Sequence, residues 1–94
     1  MGRAEIHSLI VSSLHHFIGA EETEIDGDTR PIGDLGLDSP DGIDYACDLE
    51  QLGFSLPRRL NPFWDDGEDR PRTVDEIVDL VLEYSDSPAR RNHA

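Results

Sequence analysis

The chain has no lysine; all 8 basic side chains among its 94 residues are arginine. That absence excludes a phosphate-loop lysine, a Schiff-base lysine and a lysine general base together. Positive charge is scarce overall, with 8 bases against 21 acids and a formal net charge of −13. A surface this acidic repels nucleic acid and anionic membranes, so the expected partners are basic proteins, although solubility alone would also account for the charge. Cysteine is limited to Cys47. An internal disulfide is therefore excluded, in keeping with a reducing cytoplasm. The placing of Cys47 among aliphatics predicts a small buried apolar side chain. No apolar run approaches the length of a membrane span, and the single Arg3 near the start does not make a signal-peptide pattern. Internal repeats and strand-like alternation are also lacking.

Three helical patterns, joined by long loops, predict one small all-α bundle. In the first, Ile6, Leu9, Ile10, Leu14 and Phe17 form one apolar stripe, and Gly19 supplies the stop. The following "AEETEIDGDTRPIGDLGLD" reads as a loop pinned by Ile25, Ile32, Leu35 and Leu37; a loop this long in so small a domain points to function. The second helix is expected to begin with Ser39 as N-cap and Pro40 at the first helical position, with Asp41 favoured by the helix dipole. Its inward stripe is expected to be Ile43, Ala46, Cys47 and Leu49, with Asp41, Asp44, Asp48 and Gln51 outward and Gly53 as terminator. In the next segment, Pro57, Pro62 and Pro71 break any long helix, while Leu60, Phe63 and Trp64 tuck against the bundle. The third helix opens with Thr73 and Glu76 as a capping box and buries Val74, Ile77, Val78, Val81 and Leu82. Residues 1–86 are thus expected to form the domain and 87–94 a polar tail.

Catalytic and metal chemistry find little support. On a helix, the adjacent His15 and His16 point about 100° apart, and with His7 they match no known ligand spacing. The acidic runs "DGDTRP" and "DDGED" do not follow the calcium-loop pattern. Ser39 has only acids beside it, and the strand–turn–helix setting of a nucleophile elbow is missing. A serine at a helix start is usually a cap and nothing more. Delivery by a long pinned loop, outward acids on the next helix and the absence of a nearby base together suggest an attachment point loaded by another enzyme; free N–H groups and the helix dipole would favour a phosphate there.

"DLGLDS", followed by an acidic amphipathic helix ending in "LEQLGFSLP" and later by "TVDEIVDLV", resembles the acyl carrier protein family over roughly residues 5–84. The resemblance implies a three-to-four-helix bundle with a long first loop. It also implies 4′-phosphopantetheine on Ser39, with Asp38 matching the acid that precedes the modified serine. Asp41, Asp44 and Asp48 match positions that meet basic patches on partner enzymes. Those partners would be a phosphopantetheinyl transferase and acyl-transfer, synthase or ligase enzymes, served by a monomeric, cytoplasmic, non-catalytic carrier without nucleic acid or a membrane span. Three features depart from the pattern. Pro40 stands where the family usually has a large apolar residue that partners grip. Gly42 weakens the helix by about 1 kcal/mol relative to alanine. The segment from Pro57 to Thr73, with Arg58 and Arg59, is longer than the family norm. These departures suggest a specialised carrier in a lipid, polyketide or peptide-type pathway; the alternative is an unmodified module that binds a basic partner through its acidic helix.

Overall fold

Ile6, Ile10 and Leu14 fall on one side of helix α1 (Arg3–Ile18) and are fully buried. Gly19 then leaves the helix in the left-handed region at φ 68°, and its N–H bonds to the His15 and His16 carbonyls. Glycine adopts this conformation without the Cβ clash that opposes it in other residues. The computed structural model describes residues 2–85, so the tail expected at 87–94 lies outside the described residues. After α1 come a four-residue turn, α2 (Pro31–Asp34), and two longer helices, α3 (Ser39–Gln51) and α4 (Val74–Ser85). Between α3 and α4 lies an antiparallel ribbon, β1 (Trp64–Asp65) with β2 (Arg70–Pro71). The expected small helical bundle is what forms, with this ribbon as an addition that no alternating pattern announced.

The long loop between α1 and α3 is fastened at several points. His15 Nε2 donates to the Thr23 carbonyl at 2.7 Å, while Ile25, Ile32 and Leu37 pack against the core. Leu35 is half-buried but outside that cluster. The loop also crosses the start of α4, where the Thr29 carbonyl accepts the Val74 N–H at 2.8 Å and the Gly27 carbonyl accepts the Asp75 N–H at 2.9 Å. The first amides of a helix have no partner within it, so these loop carbonyls satisfy donors that would otherwise be orphaned.

The capping box of α4 forms as its sequence predicts. Thr73 N–H donates to Glu76 Oε1 at 2.8 Å, and Glu76 N–H donates to Thr73 Oγ1 at 3.2 Å. Arg70 adds a bidentate pair to the same carboxylate at 3.0 and 2.6 Å, tying the ribbon to the helix start. Beyond the cap, Val74, Ile77, Val78 and Val81 are fully buried, with Leu82 packed at the edge of the core.

The side of α3 that faces the core differs from expectation. Gly42, Tyr45 and Leu49 are its buried residues, whereas Ile43 is 49% exposed and Cys47 is exposed. The physical reason is Tyr45. Its ring stacks on Phe63 at 5.0 Å between centroids, and Phe17 meets Tyr45 and Phe63 edge-on at 5.5 and 6.2 Å. Burying a large ring in such a cluster outweighs burying the smaller Ala46 and Cys47, so the helix is rotated to place Tyr45 inside. The Ser13 hydroxyl donates to the Ile10 carbonyl at 2.9 Å and shares a hydrogen bond of 2.5 Å with the Tyr45 hydroxyl. Burial raises the phenol's pKa above its usual range, an effect the Ser13 hydrogen bond opposes and Asp48 reinforces, so the group stays neutral.

The Arg70 hydrogen bonds, set against partial burial and aided by Thr73, lower the Glu76 pKa from 4.5 to about 2. A depressed carboxylate stabilises the fold above its unfolded-state pKa, and that contribution is lost as pH falls from about 4.5 toward 2. Arg70→Ala should therefore destabilise the protein at neutral pH, with the difference from wild type shrinking across that acidic window. Thermal melts at a series of pH values would measure this, and a penalty constant across pH would contradict it.

Candidate functional site

Two carboxylates define the start of α3. Asp38 is extended (φ −111°, ψ 167°) and is the N-cap, which makes Ser39 the first helical residue and Pro40 the second. Ser39 was expected as the cap; Asp38 takes that place because the chain turns into the helix one residue earlier. The Asp38 N–H donates to Asp41 Oδ2 at 2.8 Å, and the Asp41 N–H donates to the Asp38 carbonyl at 3.0 Å. A carboxylate in the first turn also interacts favourably with the positive end of the helix dipole. With the cap supplied by its neighbours, the Ser39 hydroxyl makes no hydrogen bond among the described residues, and Ser39 is exposed.

The backbone of Ser39 is held from across the molecule. Asn61 Nδ2 donates to the Ser39 carbonyl at 2.7 Å, while Asn61 Oδ1 accepts the Phe63 N–H at 2.8 Å. One carboxamide thus joins the first residue of α3 to a ring of the core. The contact is possible because residue 42 is glycine: a Cβ there would lie 1.8 Å from Asn61 Oδ1. Gly42, which in isolation only weakens the helix, marks a close approach. It was the one sequence signal for Asn61, and by itself it did not name the residue that approaches.

The expected outward residues are not equivalent. Asp38, Pro40 and Asp44 are exposed, whereas Asp41 and Asp48 are half-buried. Asp41 serves the cap, and Asp48 borders a groove between α1 and α3 with Leu9, Ser12, His16 and Leu52. Asp44 is therefore the most accessible of the three helix acids. Along the same side of α3 as Ser39, at helical spacing, run Ile43, Ala46, Cys47 and Glu50. They line a shallow depression of about 240 Å³ closed by Leu56, Pro57 and Arg58. The rotation imposed by Tyr45 puts this apolar strip outside, starting one turn beyond Ser39.

The histidines do not assemble a centre. His15 is engaged with Thr23, His7 lies 4.0 Å from Asp75, and no group of three His, Cys, Asp or Glu residues converges among the described residues. In the same residues no helix is long and apolar enough to cross a membrane.

An acyl carrier protein of Coprothermobacter proteolyticus is 32% identical over 82 residues, covering 86% of this chain and 92% of that relative. The chain belongs to the acyl carrier protein family. No family model matches it, and no solved structure matches it significantly. Family membership supports a general carrier role that depends on acyl-handling enzymes.

The contact between Gly42 and Asn61 makes a definite prediction. Gly42→Ala should destabilise the wild type by about 1–3 kcal/mol, because the new methyl displaces the Asn61 carboxamide and both its hydrogen bonds. In an Asn61→Ala background the same change should become stabilising by about 1 kcal/mol, the ordinary preference for alanine in a helix. Denaturant titration of the four proteins of this cycle would show the change of sign, and equal effects in both backgrounds would rule the contact out.

Proposed function

We propose that this protein carries acyl or aminoacyl groups on a 4′-phosphopantetheine arm attached to the Ser39 hydroxyl. The observation that carries this reading is an exposed serine, free of side-chain hydrogen bonds among the described residues, at the start of α3 in the "DLGLDS" stretch of an acyl carrier protein family member. When attached, the arm supplies a terminal thiol that holds the cargo as a thioester.

The local residues fit such a group. Ser39 needs no base of its own, because a transferase would activate its hydroxyl. The positive end of the α3 dipole favours a phosphodiester at this position. From there the depression beside Ile43, Ala46 and Cys47 offers an apolar surface along the helix. Asp38 and Asp41 fix the geometry of the turn from which the arm would project.

The partners are a phosphopantetheinyl transferase and synthase, acyl-transfer or ligase enzymes with basic docking patches. The carrier itself works as a cytoplasmic monomer, in a domain spanning residues 1–86 and in a specialised lipid, polyketide or related pathway. Exposed acids steer such encounters and contribute more to the association rate than to lasting affinity, which suits a protein that must release each enzyme in turn. Tethering raises the effective concentration of cargo at each partner's site without any catalysis by the carrier. Pro40 favours a second reading, an unmodified module that binds a basic partner through α3, because it removes the apolar handle next to the serine.

Incubation with coenzyme A and a broad-specificity phosphopantetheinyl transferase separates the two readings. Intact mass should rise by one phosphopantetheinyl group in the wild type and stay unchanged in Ser39→Ala. A wild type left unmodified by several transferases would overturn the carrier reading. Asp44→Arg should raise the KM for loading by about fivefold at low ionic strength, and the difference should shrink at about 0.5 M salt. A salt-independent effect would rule out electrostatic steering by Asp44.

A further inference from the structure

Ser39 stands directly before Pro40, and this creates a conflict at the residue on which the proposed function rests. The proline ring crowds the backbone N–H and Cβ of the preceding residue, which biases that residue away from the helical region and toward extended conformations. Ser39 is nevertheless the first residue of α3. Its ψ angle decides where its carbonyl points, and that carbonyl is the group Asn61 Nδ2 grips at 2.7 Å. Asn61 is itself held, because its Oδ1 accepts the N–H of Phe63, a fully buried core residue stacked on Tyr45. The Asn61 carbonyl also accepts from Arg72 Nε at 3.4 Å, and Arg72 pairs with Asp65 at 3.7 Å, so the ribbon braces the segment as well. The missing Cβ at Gly42 leaves room for the carboxamide.

We propose that Asn61 is the positioning residue of Ser39, holding its backbone helical against the bias imposed by Pro40 and so presenting the hydroxyl for modification. The presentation role rests on the carrier reading above; the backbone lock does not. Pro40, Gly42 and Asn61 then form one device: the proline biases Ser39 away from the helix, the asparagine opposes it, and the glycine makes space for the asparagine.

Asn61→Asp tests the lock with little change of shape. The aspartate keeps an oxygen for the Phe63 N–H but replaces the donor to the Ser39 carbonyl with a second acceptor. In the full-length chain, the Ser39 ¹³Cα and carbonyl chemical shifts should be helical in the wild type. They should move toward coil values in Asn61→Asp and return in Asn61→Asp/Pro40→Ala, which removes the opposing bias. Loading by the transferase should follow the same order, with kcat/KM down by about fivefold in the single variant, the loss expected for one hydrogen bond, and restored in the double variant. Unchanged Ser39 shifts in Asn61→Asp, or a defect that Pro40→Ala leaves in place, would overturn the inference. A general loss of packing would instead displace the shifts of Tyr45 and Phe63 and would not be rescued at position 40. A wild type that transferases leave unmodified would overturn the carrier reading and the presentation role with it, while the chemical shifts still decide whether Asn61 locks the backbone.

Discussion

The stack of Tyr45 on Phe63 sets the arrangement of everything around Ser39. Tyr45 belongs to α3 and Phe63 to the long segment before α4, and their rings lie 5.0 Å apart with planes 24° from parallel. Phe17 of α1 closes the cluster edge-on. Three parts of the chain distant in sequence therefore share one aromatic centre. Paired aromatics combine a large buried area with a geometric preference, so their contact fixes rotation as well as proximity. Once Tyr45 points inward, Gly42 and Leu49 follow it into the interior, while Ile43 and Cys47 are turned outward.

Two consequences meet at the start of α3. Phe63 brings Asn61, two residues before it, to the Ser39 carbonyl, and Gly42 leaves the space that Asn61 needs. The outward turn of Ile43, Ala46 and Cys47 gives the serine an apolar strip on its own side of the helix. The serine is thereby registered against the core by one carboxamide while its hydroxyl remains accessible. An anchor of this kind would suit the proposed attachment, which needs the serine's own position defined while the attached group moves.

Much of the scaffold was legible because it is governed by local rules. The spacing of Ile6, Ile10 and Leu14 identified α1 and its buried face, and Gly19 its end. Thr73 and Glu76 named the start of α4 through a motif complete within four residues. Other features were not legible. The face of α3 was misread because Ile43, Ala46 and Cys47 recur at a helical spacing of their own, while Gly42 carries no apolar side chain to mark the other arc. Periodicity shows that a helix has an inward face, but it does not choose between arcs of similar spacing when the deciding partner is another segment's ring. The ribbon escaped notice because strands two residues long contain too little alternation to detect. The link between Asn61 and Ser39 spans twenty-two positions and follows no motif.

By itself the sequence determined the helical class, the absence of lysine chemistry, the acidic surface and the serine in its "LGLDS" setting. Each depends on composition or on residues within a few positions of one another. Only the tertiary structure decided which side of α3 faces water, that Cys47 is exposed rather than buried, and that Asn61 is the residue gripping the Ser39 backbone. Those outcomes depend on contacts among α1, α3 and the segment before α4, where the burial of Tyr45 and Phe63 beside Phe17 outweighed the local pattern of the helix.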